Sequence, residues 1–172
     1  MEFLQPIMGI HGISDLCIWE FRMNFWDRLK VNAASLQKGL ADEVVKFKND
    51  AFMRAVTAGC AMMASADGDI SAAEKQKMIG FIQNSDVLRV FDLQKVIDSF
   101  NAIVGKFEFD RTIGEGEALA LVSRTRDKPE ARVVVGVVLA VANADGVFDP
   151  KEREVARKIA AAAGVDPAEF GI

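Results

Sequence analysis

An all-α fold, a compact bundle of about six or seven helices built from two duplicated helix-turn-helix units, is what this 172-residue sequence predicts. Apolar residues recur in steps of three and four along most of the chain, and no stretch alternates apolar with polar residues as a half-buried strand would. An acidic turn also occurs twice, 78 residues apart, each time after an apolar helix-like run. The first copy reads Ala64-Ser65-Ala66-Asp67-Gly68-Asp69-Ile70-Ser71-Ala72-Ala73-Glu74, the second Ala142-Asn143-Ala144-Asp145-Gly146-Val147-Phe148-Asp149-Pro150-Lys151-Glu152. Asp67 matches Asp145, Gly68 matches Gly146, Glu74 matches Glu152 and, upstream, Arg54 matches Arg132, which points to an internal duplication.

Residues 1–22 are apolar but broken by Pro6, Gly9 and Gly12, and they lack a basic start. They fit neither a secretory signal nor a membrane span. Met23 opens a far more regular pattern, so we expect one helical domain over 23–172, preceded by an extension that is a misassigned start or an appended remnant. From Phe25 to Phe47, Trp26, Leu29, Ala33, Leu36, Leu40, Val44 and Phe47 trace one helical stripe. That stripe packs against its own domain or, through Phe25 and Trp26 with Arg28 and Lys30, docks on a membrane surface or a partner.

Residues 50–66 place Phe52, Val56, Gly59, Cys60 and Met63 on one face, and 130–144 repeat the theme with Val134, Val137, Val138 and Val141. Both read as core helices. The ten apolar residues from Val133 to Ala142 are too few to span a bilayer, so a buried central helix is expected there. After each acidic turn comes a helix-start signature: Ser71 with Glu74, and Asp149 with Pro150 and Glu152. Helices should follow at 72–84 and 150–163. Between the copies, Asp92–Phe107 and Ile113–Arg126 read as two more helices, joined by a loop containing Asp110, with Gly114 and Gly116 beside it. Gly164 stops the last long helix, and Asp166-Pro167 begins a final short turn.

A formal charge of −4 and a pI near 5.1, with no stripe of Lys and Arg, exclude a phosphate-tracking nucleic-acid binder. Cys17 and Cys60 match no zinc or redox spacing and read as free thiols in a reducing compartment, Cys60 as core. The one histidine, His11, lies in the irregular start, so the regular part has no serine- or cysteine-type catalytic constellation and no enzyme is expected. Glu108, Asp110, Glu115 and Glu117 read as a solvated mid-chain connection. Gly114-Glu115-Gly116-Glu117 lacks the lysine and the preceding strand of a phosphate cradle.

The acidic turns admit two accounts. In one, Ser71 and Asp149 are N-caps, Glu74 and Glu152 close capping boxes, and Gly68 or Gly146 supplies a positive φ. That leaves Asp67, Asp145 and Asp69 surplus, the first two at helix C-termini where the macrodipole disfavours negative charge. In the other account a cation settles among Asp67, Asp69 and Glu74, and among Asp145, Asp149 and Glu152. A donor set of oxygen alone, without His or Cys, selects calcium, magnesium or manganese over zinc or copper. The loops are not EF-hands, since glycine stands second instead of sixth and the twelfth place holds Met78 or Ala156. Two copies packed about a pseudo-two-fold axis would carry both turns at one end of the bundle, as one shared patch or two sites.

From Met23 to the C-terminus the chain resembles the TerB family of bacterial tellurite-resistance proteins. The resemblance rests on Met23-Asn24-Phe25-Trp26-Asp27-Arg28-Leu29-Lys30, Phe47-Lys48-Asn49, Glu74-Lys75-Gln76-Lys77-Met78-Ile79-Gly80-Phe81, Phe107-Glu108-Phe109-Asp110 and Asp166-Pro167-Ala168-Glu169-Phe170-Gly171. It implies an all-helical fold and a non-enzymatic, cytoplasmic role in resistance to tellurite and other stresses. It further implies association with a TerC-like inner-membrane protein at the inner face of the cytoplasmic membrane, and divalent-metal binding through the acidic turns. In this sequence those residues are Asp67, Asp69 and Glu74, with Asp145, Asp149 and Glu152. Val147 stands where the first copy has Asp69, which makes the two corners unequal in ligands. Tellurite is itself an anion, and a carboxylate-lined corner disfavours its direct capture without a bridging cation. The competing class is a metal-independent interaction module whose acidic patches dock a basic partner. A third reading is a peripheral membrane protein using Trp26 and its neighbours.

Overall fold

The computed structural model describes residues 33–68, 70–85, 87–142 and 149–172, and of 33–38, 74 and 77 the backbone alone. Among these residues there are seven α-helices, two 3-10 turns and no strand. In chain order they are α1 (Ala33–Lys46), α2 (Asp50–Ala64), α3 (Ala72–Asn84), η1 (Leu88–Val90), α4 (Leu93–Phe109), α5 (Arg111–Ser123), α6 (Glu130–Ala142), α7 (Pro150–Ala163) and η2 (Pro167–Phe170). The all-α expectation holds among the described residues; residues 143–148 of the second acidic turn, between α6 and α7, lie outside them. Residues 1–32, with Cys17, His11, Phe25, Trp26, Arg28 and Lys30, lie outside the described residues.

Helix α2 forms the centre. Asn49 caps its start, the side chain accepting the Phe52 N–H at 2.9 Å. Its alanines favour helix intrinsically, and Phe52, Met53 and every residue from Ala55 to Met63 are buried. A helix apolar all round has to be surrounded, and α2 packs against α3, α4, α5, α6 and α7. Cys60 lies wholly within this core, and burial pushes its thiol pKa from 9.0 up to about 12.

The valine-rich run after Glu130 is a helix although β-branched side chains lower helix propensity by a few tenths of a kcal/mol each. Burial outweighs that cost. Val134, Val135, Val137, Val138 and Leu139 of α6 are all fully buried, each side chain contributing about 1.5–3 kcal/mol. Helix α1 lies on α6: Leu40 approaches Gly136, and Val44 is fully buried. So the described part of the first amphipathic stripe packs on its own domain. Where α1 meets α2 and η1, the rings of Phe47, Phe52 and Phe91 stack with centroids 6.4 and 6.1 Å apart.

The expected loop between the fourth and fifth helices does not exist. One residue, Asp110, ends α4 and caps α5, its carboxylate accepting the Ile113 N–H at 3.0 Å. The hairpin is that tight because Gly114 lies against the Phe107 backbone, where a β-carbon would come within 2.7 Å. Gly114 and Gly116 are helical residues of α5, as the 113–126 reading has them, and the departure is confined to the expected connection around Asp110.

Helix α7 ends as the sequence indicates, at Gly164 with φ +73°. Arg126 reaches across from beyond α5 and donates to the terminal carbonyls of Ala161 at 2.7 Å and Ala162 at 3.3 Å. A guanidinium there also suits the negative end of the helix dipole.

Candidate functional site at the acidic turns

The first turn satisfies the end of α2 without using Asp67. Ser65 donates its backbone N–H to Ala61 and Met62 and its hydroxyl to the Met62 carbonyl at 2.8 Å; Ala66 N–H reaches the Met63 carbonyl. Gly68 closes the turn, donating to the Ser65 carbonyl with φ +128°, a conformation that disfavours any residue with a β-carbon. The Asp67 side chain is left 61% exposed, with no capping role. Capping chemistry therefore does not account for that carboxylate.

The second turn is different. Asp149 Oδ1 accepts the N–H groups of Lys151 at 2.7 Å and Glu152 at 2.9 Å, while Glu152 Oε2 accepts the Asp149 N–H at 2.9 Å. This is the complete capping box expected from the sequence, with Pro150 in the first helical turn. Both carboxylates thus serve the start of α7.

Tertiary structure brings the first turn to the start of α7. Lys151 Nζ, in the first turn of α7, donates to Asp67 Oδ1 at 3.1 Å across 84 residues of sequence. The Asp67 carboxylate thereby meets the first turn of α7 through Lys151. Asp69 and Asp145 lie outside the described residues, as does the Glu74 side chain, although its backbone belongs to the first turn of α3. Among the described residues no three His, Cys, Asp or Glu side chains gather as a metal cluster. Both bonds to Asp149 fall on Oδ1, and the Asp67 pair also uses Oδ1.

Lys151 is the residue that sequence reasoning missed. It stands inside the quoted motif, but no local pattern relates position 151 to position 67. The mid-chain acidic residues, read as a solvated connection, are individually engaged. Glu108 pairs with Lys75 at 2.7 Å, Glu115 with Lys158 at 2.8 Å and Glu117 with Lys106 at 3.4 Å, tying α4 to α3 and α5 to α7 and α4. The matched arginines of the two copies also diverge. Arg132 pairs with Glu169 at 2.6 Å, whereas Arg54 borders a cleft of about 370 Å³ with Lys95, Asp98 and Ser99 of α4.

No helix among the described residues is long and apolar enough to cross a membrane. A family model described as Tellurite resistance protein TerB matches residues 53–172. The chain is 43% identical over 110 residues to the Tellurium resistance protein TerB of Alcaligenes sp, an alignment covering 64% of this chain and 90% of that protein. No solved structure matches.

Proposed function

The chain belongs to the TerB family of tellurite-resistance proteins, and from that premise we propose that it holds a divalent cation, calcium in first place, at the paired acidic turns and passes its occupancy to a membrane partner. The ligands in this reading are Asp67, Asp69 and Glu74 of the first turn and Asp145, Asp149 and Glu152 of the second. The partner is a TerC-like inner-membrane protein met at the inner face of the cytoplasmic membrane, and the role is non-enzymatic.

One observation carries the reading: Asp67, which no cap explains, sits beside the start of α7, where Asp149 and Glu152 already converge. Gathering carboxylates from two distant turns raises mutual repulsion, and a doubly charged ion relieves it. Magnesium or manganese would use the same oxygens, but calcium best tolerates an irregular, exposed donor set. Calorimetric titration with calcium tests this. Wild-type protein should give binding heat that Asp67→Asn with Asp145→Asn abolishes, and unchanged heat in the double variant rules the turns out.

The metal-independent docking reading draws support from the same contacts, since the described carboxylates already have protein partners in Asp149–Glu152 and Asp67–Lys151. Its signature is partner binding that weakens steeply with salt and ignores chelators.

A further inference from the structure

We propose that the cleft between α2 and α4 binds a small zwitterion with an apolar side chain, a free α-amino acid or a dipeptide: Arg54 and Lys95 hold its carboxylate, and Asp98 with the Ser99 hydroxyl holds its ammonium. The cleft lies at the start of α2, the acidic turn at its end, and the proposal does not depend on the cation reading.

The cleft has a volume of about 370 Å³, within the roughly 300–1,000 Å³ of small-molecule pockets, and lies between the helices of a bundle, where such pockets recur. Met53 of α2, Ile103 of α4 and Leu121 of α5 give it an apolar wall. Its charged residues are two acids, Asp50 and Asp98, and two bases, Arg54 and Lys95. Asp50 stands four residues before Arg54 and Lys95 three before Asp98, spacings at which opposite charges on a helix meet. Among the described residues neither couple closes an ion pair, and none of the four pairs elsewhere. Lys75, Lys106, Lys158 and Arg132, by contrast, all have carboxylate partners. Balanced, unpaired charge in one concavity suits a ligand that carries both signs.

Ser99 adds a directed acceptor. Thr57 is buried, and its single hydroxyl proton goes to the carbonyl of Met53 or Arg54, each 3.1 Å away. In the 2.7 Å contact between the two hydroxyls Ser99 is therefore the donor, and its oxygen keeps lone pairs for an ammonium. Asp98 accepts one bond from Gln94 at 2.8 Å and retains acceptor capacity on its carboxylate. The planar guanidinium of Arg54 matches a ligand carboxylate.

The test follows amide NMR spectra of the full chain during titration with L-leucine, L-leucyl-L-leucine, N-acetyl-L-leucine and L-leucinamide, the last two each lacking one charge. Leucine or the dipeptide should saturably shift amides around Arg54 and Ser99, and the tighter of the two distinguishes a free amino acid from a peptide. Blocking either end of leucine should weaken binding about three- to tenfold. Arg54→Met should weaken leucine by a similar factor and leave leucinamide unchanged, whereas Asp98→Asn should weaken leucine and leave N-acetyl-leucine unchanged. Both side chains are exposed, and a spectrum unaltered away from the cleft shows that each variant folds. Absence of a saturable shift with leucine and with the dipeptide, or shifts remote from the cleft, overturns the site. Binding of either blocked ligand as tightly as leucine overturns the zwitterion, and leucine affinity unchanged in both variants overturns the assignment of these residues.

Discussion

Gly59 of α2 lies so close to Val138 of α6 that a β-carbon on the glycine would be 2.5 Å from the valine Cγ2. The two buried helices that precede the acidic turns cross at this point, and the missing side chain sets their separation.

Gly59→Ala should therefore destabilise the protein although alanine is the better helix former. Overpacking costs about 1–3 kcal/mol, against a propensity gain of at most about 1 kcal/mol. Gly105 of α4 has open space around its missing β-carbon, so Gly105→Ala should stabilise by about 0.5–1 kcal/mol. Urea denaturation of both variants checks the opposite signs, and destabilisation of equal size in the two would refute the packing argument.

Two substitutions at Asp149 separate its duties. Asp149→Ala removes the acceptor for two backbone N–H groups and should lower stability by about 1 kcal/mol, or roughly 2–4 °C in melting temperature. Asp149→Asn keeps an N-cap and should melt within a degree or so of wild type, yet it loses the charge a cation needs. Melting curves in EDTA and calcium titrations on the same samples distinguish the two effects. Equal calcium affinity in wild type and Asp149→Asn would remove Asp149 from the ligand set.

Arg126→Ala withdraws both hydrogen bonds from the end of α7 and should cost about 0.3–1 kcal/mol. Added salt should narrow the difference between wild type and variant, because the dipole contribution is screened. A thermal-melt series from low to high ionic strength reads this directly.

Cys60 should resist thiol reagents in the folded protein. In a Cys17→Ser background, labelling should proceed only as fast as the core opens, and urea should accelerate it. The pH dependence has a definite sign. The folded thiol is raised from 9.0 to about 12, so the unfolded state ionises first. The stability this group contributes is complete below pH 9 and is lost as pH rises towards 12. Cys60→Ala should flatten the alkaline side of the stability profile, and an unchanged profile would show that other groups govern it.

Local signals in the sequence determined most of the fold. Apolar spacing located the core helices, Asp149-Pro150-Lys151-Glu152 announced its capping box, and Gly164 marked the end of α7, because each depends on contacts within one or two turns of chain. Where the sequence reading departed from the structure, at the connection around Asp110, the deciding contact was between two helices, with Gly114 against the Phe107 backbone. The acidic residues were visible as types and spacings, but their neighbours were not. Only the folding of α7 against α2 places Lys151 beside Asp67, since electrostatic partners 84 residues apart are chosen by packing of the apolar faces beneath them, and no periodicity along the chain encodes that choice.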